Sequence, residues 1–75
     1  MFKKLSELTT GKKAIIKSFE SDNLFLKLME MGCTPGEIIV IEHVAPFKGP
    51  ISISVSGYKL SLRIDEAEQI IVEEL

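Results

Sequence analysis

The stretch Ile51-Ser52-Ile53-Ser54-Val55-Ser56-Gly57-Tyr58-Lys59-Leu60-Ser61-Leu62-Arg63-Ile64 decides the architecture. Its first six residues alternate without a fault. Ile51, Ile53 and Val55 point one way, and Ser52, Ser54 and Ser56 point the other. Side chains repeat every two residues along a strand, so this is the pattern of a half-buried antiparallel strand. Gly57 marks a turn or bulge. Beyond it Tyr58, Leu60, Leu62 and Ile64 alternate with Lys59, Ser61 and Arg63, which gives a second strand of the same kind.

Upstream, Pro46-Phe47-Lys48-Gly49-Pro50 is a loop bounded by prolines, and residues 37–45 form a long run rich in β-branched side chains that suits a pleated surface. Thr34-Pro35-Gly36 is a turn in which proline presets φ at the first corner and glycine accepts positive φ at the second. Residues 22–31 read as a helix. Leu24, Leu28 and Met31 fall on one stripe, with Phe25 and Met29 beside it, while Leu26 lies outside it and is expected to be exposed. Ser21 and Asp22 both suit the N-cap, and Gly32 supplies a left-handed stop. Residues 13–20 read as another strand, with Ala14 and Ile16 on one face and Ile15, Lys17 and Phe19 on the other. Leu5 and Leu8 mark one helical turn tucked under the core. Downstream, Asp65-Glu66-Ala67-Glu68 resembles a capping box with Asp65 in the capping role. Residues 69–73 close as a last strand with Ile70 and Val72 inward.

The sum is mainly β: five short strands, one inserted α-helix at about residues 22–31, and short helical turns. Closing a small sheet protects its edges, so a five-stranded, partly open barrel is the expected solution, as a single domain over residues 1–75. An edge strand left open would allow two copies to pair.

Composition narrows the function. The chain has 75 residues, 45% hydrophobic and 27% charged. A domain this short buries only about 60% of the surface its unfolded chain exposes, which makes a deep catalytic cavity hard to build. The net charge of −2 argues against a general nucleic-acid binder, which needs a positive surface to displace counterions. The charge is uneven: Lys3, Lys4, Lys12, Lys13 and Lys17 crowd the start, and Asp65, Glu66, Glu68, Glu73 and Glu74 crowd the end. These are either two solvated faces or a basic patch that meets an acidic partner or lipid headgroups. The lone Cys33 fits a reducing compartment. The first residues lack the apolar run of a signal peptide, and no stretch approaches the ~20 apolar residues that cross a bilayer. The expectation is a cytoplasmic protein that meets a membrane only through another protein.

The residues Met31-Gly32-Cys33-Thr34-Pro35-Gly36 resemble the Leu-Gly-Leu-Thr-Pro-Gly signature of the FeoA family, the small cytosolic accessory proteins of bacterial ferrous-iron transport. The likeness continues through Ala45-Pro46, Gly49-Pro50-Ile51, Gly57-Tyr58, Leu60, Leu62-Arg63, Glu66-Ala67 and Ile70 and covers essentially the whole chain. It departs at Cys33, where the family has an aliphatic residue, and at Phe47. The resemblance implies an SH3-like barrel with an inserted helix. It also implies a partner, the cytosolic region of a FeoB-type membrane transporter that carries its own G-domain. The same fold serves as the C-terminal module of DtxR-like iron-dependent repressors. A metal-sensing regulatory module is therefore the alternative reading.

The residues offer little chemistry of their own. A cysteine nucleophile needs a base that lowers its pKa, and Cys33 sits past a helix C-terminus, where the dipole disfavours a thiolate. Its plain reading is a small buried hydrophobe. No glycine-rich phosphate cradle is present. A stable metal site takes three or four ligands, whereas one cysteine and one histidine, His43, stand here without paired spacing; Glu42 beside His43 is expected to face the opposite way. The expectations are no catalysis, no cofactor and no metal site, with Cys33 and His43 the nearest candidates for one. What remains is a protein-binding surface. The loop Pro46, Phe47 and Lys48, taken with Tyr58 and Lys59, is the first candidate. The outer helix face at Leu26 and Lys27 is the second. For Phe47 the plain alternative is an aromatic ring folded back over the barrel. Gly32, Pro35, Gly36 and Gly57 are read as structural turns.

Overall fold

The computed structural model describes residues 2–75; Met1, counted within the expected domain, lies outside them. The chain runs β1 (Phe2–Lys4), a 3₁₀ turn (Leu5–Glu7), β2 (Lys13–Phe19), α1 (Asp22–Glu30), β3 (Ile38–Val44), β4 (Ile51–Val55), β5 (Tyr58–Leu62), α2 (Ile64–Ala67) and β6 (Ile70–Glu74). Among the described residues there are six strands rather than five. They form one antiparallel sheet in the order β1-β6-β2-β3-β4-β5. The additional strand, β1, is three residues long and is held by pairing with β6, Phe2 opposite Glu73 and Lys4 opposite Ile71. So short a segment carries no periodicity of its own.

The inner face is an unbroken aliphatic layer. Ala14, Ile16, Ile39, Ile41, Ile51, Ile53, Val55, Leu62, Ile70 and Val72 are all buried, and no polar or charged side chain among the described residues is. Leu5 and Leu8 close one end, as their spacing requires, and Leu24, Leu28 and Cys33 bring α1 onto the same core.

Two bulges correct the expected face assignments. β2 slips against β6 between Ile16 and Ser18, and β3 slips against β4 between Ile41 and His43. A bulge adds one residue to one strand and inverts the alternation beyond it. Phe19 therefore lies opposite Ile70 and packs on the core, not on the outer face with Ile15. Val44 comes opposite Ile51 but stays exposed at the end of the strand. Strict alternation also fails at the adjoining pair Glu42 and His43, both of which are exposed.

α1 begins as its sequence suggests, with the Leu24 N–H donating to Ser21 Oγ at 3.3 Å. It ends one residue early, with Met31 as C-cap. The Cys33 N–H reaches Leu28 O at 2.8 Å and the Gly32 N–H reaches Met29 O at 3.1 Å, the paired bonds of a Schellman stop. Gly32 sits at φ +83°, and the Tyr58 hydroxyl occupies the place a side chain there would take. The Thr34–Glu37 turn closes at 3.1 Å with Gly36 at φ +95°, and the Gly36 N–H donates to Ile16 O beside the β2 bulge.

α2 starts at Ile64, with Arg63 at its N-cap position, not at the expected Asp65. Glu66 reaches back and accepts from the Arg63 N–H at 2.9 Å. The second half of the box motif is thus present, two residues ahead of the expected register.

Candidate functional site

The site grows from the β3–β4 connection. Val44 opposite Ile51 is the last strand pair. Beyond it the Ala45 N–H donates to Pro50 O and the Gly49 N–H donates to Pro46 O, both at 3.1 Å. The chain therefore reverses over Phe47 and Lys48, at φ +57° and +59°. Two consecutive left-handed residues are the type I′ turn, which matches the twist of a hairpin but favours Asn and Gly. Here it is imposed on an aromatic ring and a lysine. Gly49 is needed because a Cβ there would stand 2.7 Å from that of Ala45. The Phe47 ring does not fold back over the barrel. It is 99% exposed.

The opposite hairpin brings further residues to this loop. Ser56 and Gly57, at φ +50° and +84°, form a two-residue turn that pairs Val55 with Tyr58. Counting back along the register puts Ile53 opposite Leu60 and Ile51 opposite Leu62. Pro50 therefore adjoins Arg63 at the start of α2. A depression of about 470 Å³, open to solvent, lies at this corner, lined by Lys48, Pro50, Arg63, Ile64 and Asp65. Its apolar wall is Pro50 and Ile64, the latter packed against the core from the other side.

The charges around it are unevenly satisfied. Lys27 donates to Glu66 Oε2 at 2.7 Å, tying α1 to α2. The Lys27 hydrogen bond, with that from the Arg63 N–H, holds the Glu66 carboxyl below its usual range. Glu66 is thus committed. Lys48 and Arg63 form no salt bridge with any described residue, whereas Lys3, Lys12 and Lys17 are paired with Glu73 or Glu74.

The expected partner-binding residues do not form one surface. Pro46, Phe47 and Lys48 lie together at one end of β4. Tyr58 and Lys59 lie at its other end, roughly 13 Å away at about 3.3 Å per residue. Tyr58, 40% exposed, rests on Gly32 at the end of α1. Lys59 opposes Ser54 on the outer face of the sheet. Leu26, 60% exposed, is on the solvent side of α1. In place of Tyr58 and Lys59, the structure joins Pro50, Arg63, Ile64 and Asp65 to the loop. Sequence reasoning had Pro50 in the loop and missed Arg63, Ile64 and Asp65. The signal was the two-residue Ser56-Gly57 turn, which fixes the β4–β5 register once it is recognised.

The chemical candidates are far apart. Cys33 is wholly buried, and burial, followed by the charge of Glu37, pushes its thiol up to about 11. His43 is on an exposed strand opposite Ser52. Among the described residues no three His, Cys, Asp or Glu side chains converge on one point. Among the described residues no helix is long and apolar enough to cross a membrane.

Fold and surface together define a small SH3-like barrel whose exposed features are loops and open strand edges. The chain belongs to the FeoA family: the FeoA domain matches residues 3–74. It is 38% identical over 71 residues to the Fe(2+) transport protein A/Fe(2+) transporter FeoB fusion protein of Porphyromonas gingivalis, covering 93% of this chain and 8% of that protein. The chain thus spans less than a tenth of the length of this curated relative. Among solved structures, the crystal structure of an iron uptake regulatory protein (FeoA) superposes with a TM-score of 0.88 at 36% identity, covering 100% of this chain and 99% of the other. T. acidophilum IdeR superposes with a TM-score of 0.85 at 26% identity, over 99% of this chain and 34% of that one.

Proposed function

We propose that this chain is a non-enzymatic accessory protein of ferrous-iron transport, acting in the cytosol as one domain that binds the cytosolic region of a FeoB-type transporter. One observation carries the reading. In the P. gingivalis relative, a segment that this chain matches over 93% of its length is joined to a transporter in one polypeptide. Fusion holds two domains at high effective concentration, which separate chains must otherwise achieve by affinity. The interior agrees with a surface role, since aliphatic side chains and the Cys33 thiol fill it and no polar or charged side chain among the described residues is buried there.

An accessory protein changes transport only by binding one state of the transporter more tightly than another, so the expected mechanism is a population shift in the cytosolic region or the gate. The test is titration of this chain into the purified cytosolic region of the FeoB-type transporter from the same cell, followed by calorimetry. Saturable binding at micromolar concentrations supports the reading. No heat and no co-migration at tenfold higher concentration would reject it.

The likeness to IdeR favours a second reading, a metal-sensing regulatory module. Equilibrium titration with Fe²⁺ or Mn²⁺ separates the two, because a sensor requires stoichiometric metal binding.

A further inference from the structure

We propose that the depression between the Pro46–Pro50 turn and the start of α2 is the docking site for an extended acidic segment of the partner, in which a carboxylate stands next to an apolar side chain. The inference rests on the transporter reading above and specifies where and by what chemistry that contact is made.

Three features converge there. The first is charge. Lys48 and Arg63 line the same depression and neither forms a salt bridge with a described residue; Asp65, two residues from Arg63, lines it as well, while Glu66 is occupied by Lys27 and by the Arg63 N–H. An arginine fork and a lysine side by side select a carboxylate. The second is an apolar wall, Pro50 and Ile64, with the Phe47 ring adjoining at full exposure. An aromatic anchor beside cations that form no salt bridge is the composition of a binding centre rather than of a solvated face. The third is strain. Phe47 and Lys48 both hold a left-handed backbone that Asn and Gly would adopt at less cost, and such strain persists where the surroundings enforce it. Here the enforcement comes from the two closing hydrogen bonds and the Gly49–Ala45 contact. Asp65 reduces the net charge of the site to one positive, which suits an isolated carboxylate better than a polyanion, and its own carboxylate offers an acceptor to a backbone N–H of the segment.

The experiment uses the whole chain, labelled with ¹⁵N, and overlapping synthetic peptides that tile the cytosolic region of the transporter. The expected result is that one acidic peptide shifts the amides of Phe47, Lys48, Gly49, Arg63 and Asp65 above all others. Replacing its carboxylate with the amide weakens binding about tenfold or more, as do Lys48→Glu and Arg63→Glu in the chain. Both chain residues are exposed, and thermal melts establish that the variants fold. The peptide-side amide swap decides the matter even if one of them does not. Peptide-induced shifts confined to Ile15 and Ile38 on the outer sheet face, or to Leu26 on α1, would overturn the proposal. So would binding indifferent to the carboxylate. If the intact cytosolic region binds but both charge reversals leave its affinity unchanged, the groove is wrong and the transporter reading stands. If the intact region does not bind, both fall.

Discussion

Lys3 Nζ donates to Glu74 Oε1 at 2.8 Å across a separation of 71 positions, and this contact disposes of the charge asymmetry along the chain. Lys12 reaches the other oxygen of Glu74 at 3.7 Å, and Lys17 reaches Glu73 at 3.2 Å. Three of the five lysines of the basic start are thus paired with the acidic end rather than left as a free face. They meet because β6 lies between β1 and β2. Lys48 and Arg63, which form no salt bridge with a described residue, lie elsewhere, at the β3–β4 loop and the start of α2.

The ion pairs give stability a pH dependence with a definite sign. The Lys3 hydrogen bond lowers the Glu74 carboxyl below its ordinary 4.5, and the Lys27 hydrogen bond does the same to Glu66. A carboxyl with a depressed folded pKa contributes stability that is complete above its unfolded value and lost as pH falls through the folded one. Lys3 is raised above 10.5, chiefly by the Glu74 hydrogen bond, so its contribution is complete below that value and lost as pH rises beyond it. Melting temperature should be flat near neutrality and fall below about pH 4.5. Circular dichroism melts of Lys27→Met should show a smaller acid drop than the parent. An unchanged drop would count against the Glu66 assignment.

Gly32 and Gly36 make a paired test. Both have positive φ, but only Gly32 is covered, by the Tyr58 hydroxyl. Gly36→Ala should cost about 1–2 kcal/mol from backbone alone. Gly32→Ala should cost more, and Tyr58→Phe should recover part of the excess in Gly32→Ala while leaving Gly36→Ala unaffected. Urea melts of the three single and two double variants measure this coupling. Equal costs at the two glycines would contradict the contact.

Replacing Phe47-Lys48 with Asn-Gly should stabilise the chain, because that pair suits two consecutive left-handed residues. Relief of about 1–3 kcal/mol corresponds to a rise in melting temperature of at least about 4 °C in a domain of this size. The same change removes the exposed ring and one cation, so affinity for the transporter's cytosolic region should fall. A variant that gains stability and keeps its affinity would show the strained pair to be incidental.

Cys33 should be inert in the folded state. Burial raises its thiol to about 11 and closes access, so alkylation at pH 8 should proceed only as fast as the chain opens. Modification at the rate of a free thiol would place Cys33 outside the core.

Much of this was legible in the residues, and the exceptions share a cause. The Ile51–Val55 alternation, the Leu24/Leu28 stripe and the Gly32 stop report local rules, and the structure obeys them. Phe19 was misplaced because a bulge inverts faces without leaving any mark in composition. β1 was missed because three residues held only by β6 have no local signature. The docking surface proposed above was only partly legible. Phe47 announced itself as an aromatic in a proline-bounded loop, but its neighbours Arg63, Ile64 and Asp65 arrive through register, which is a non-local property.

The most direct test is ferrous-iron uptake in cells that lack this chain, complemented in turn by the parent, by Cys33→Ala with His43→Ala, and by Lys48→Glu with Arg63→Glu, at matched protein levels. If the chain works by surface docking, the first pair restores uptake in full and the second does not. Lost uptake with the Cys33 and His43 changes, alongside full uptake with the charge reversals, would contradict the account.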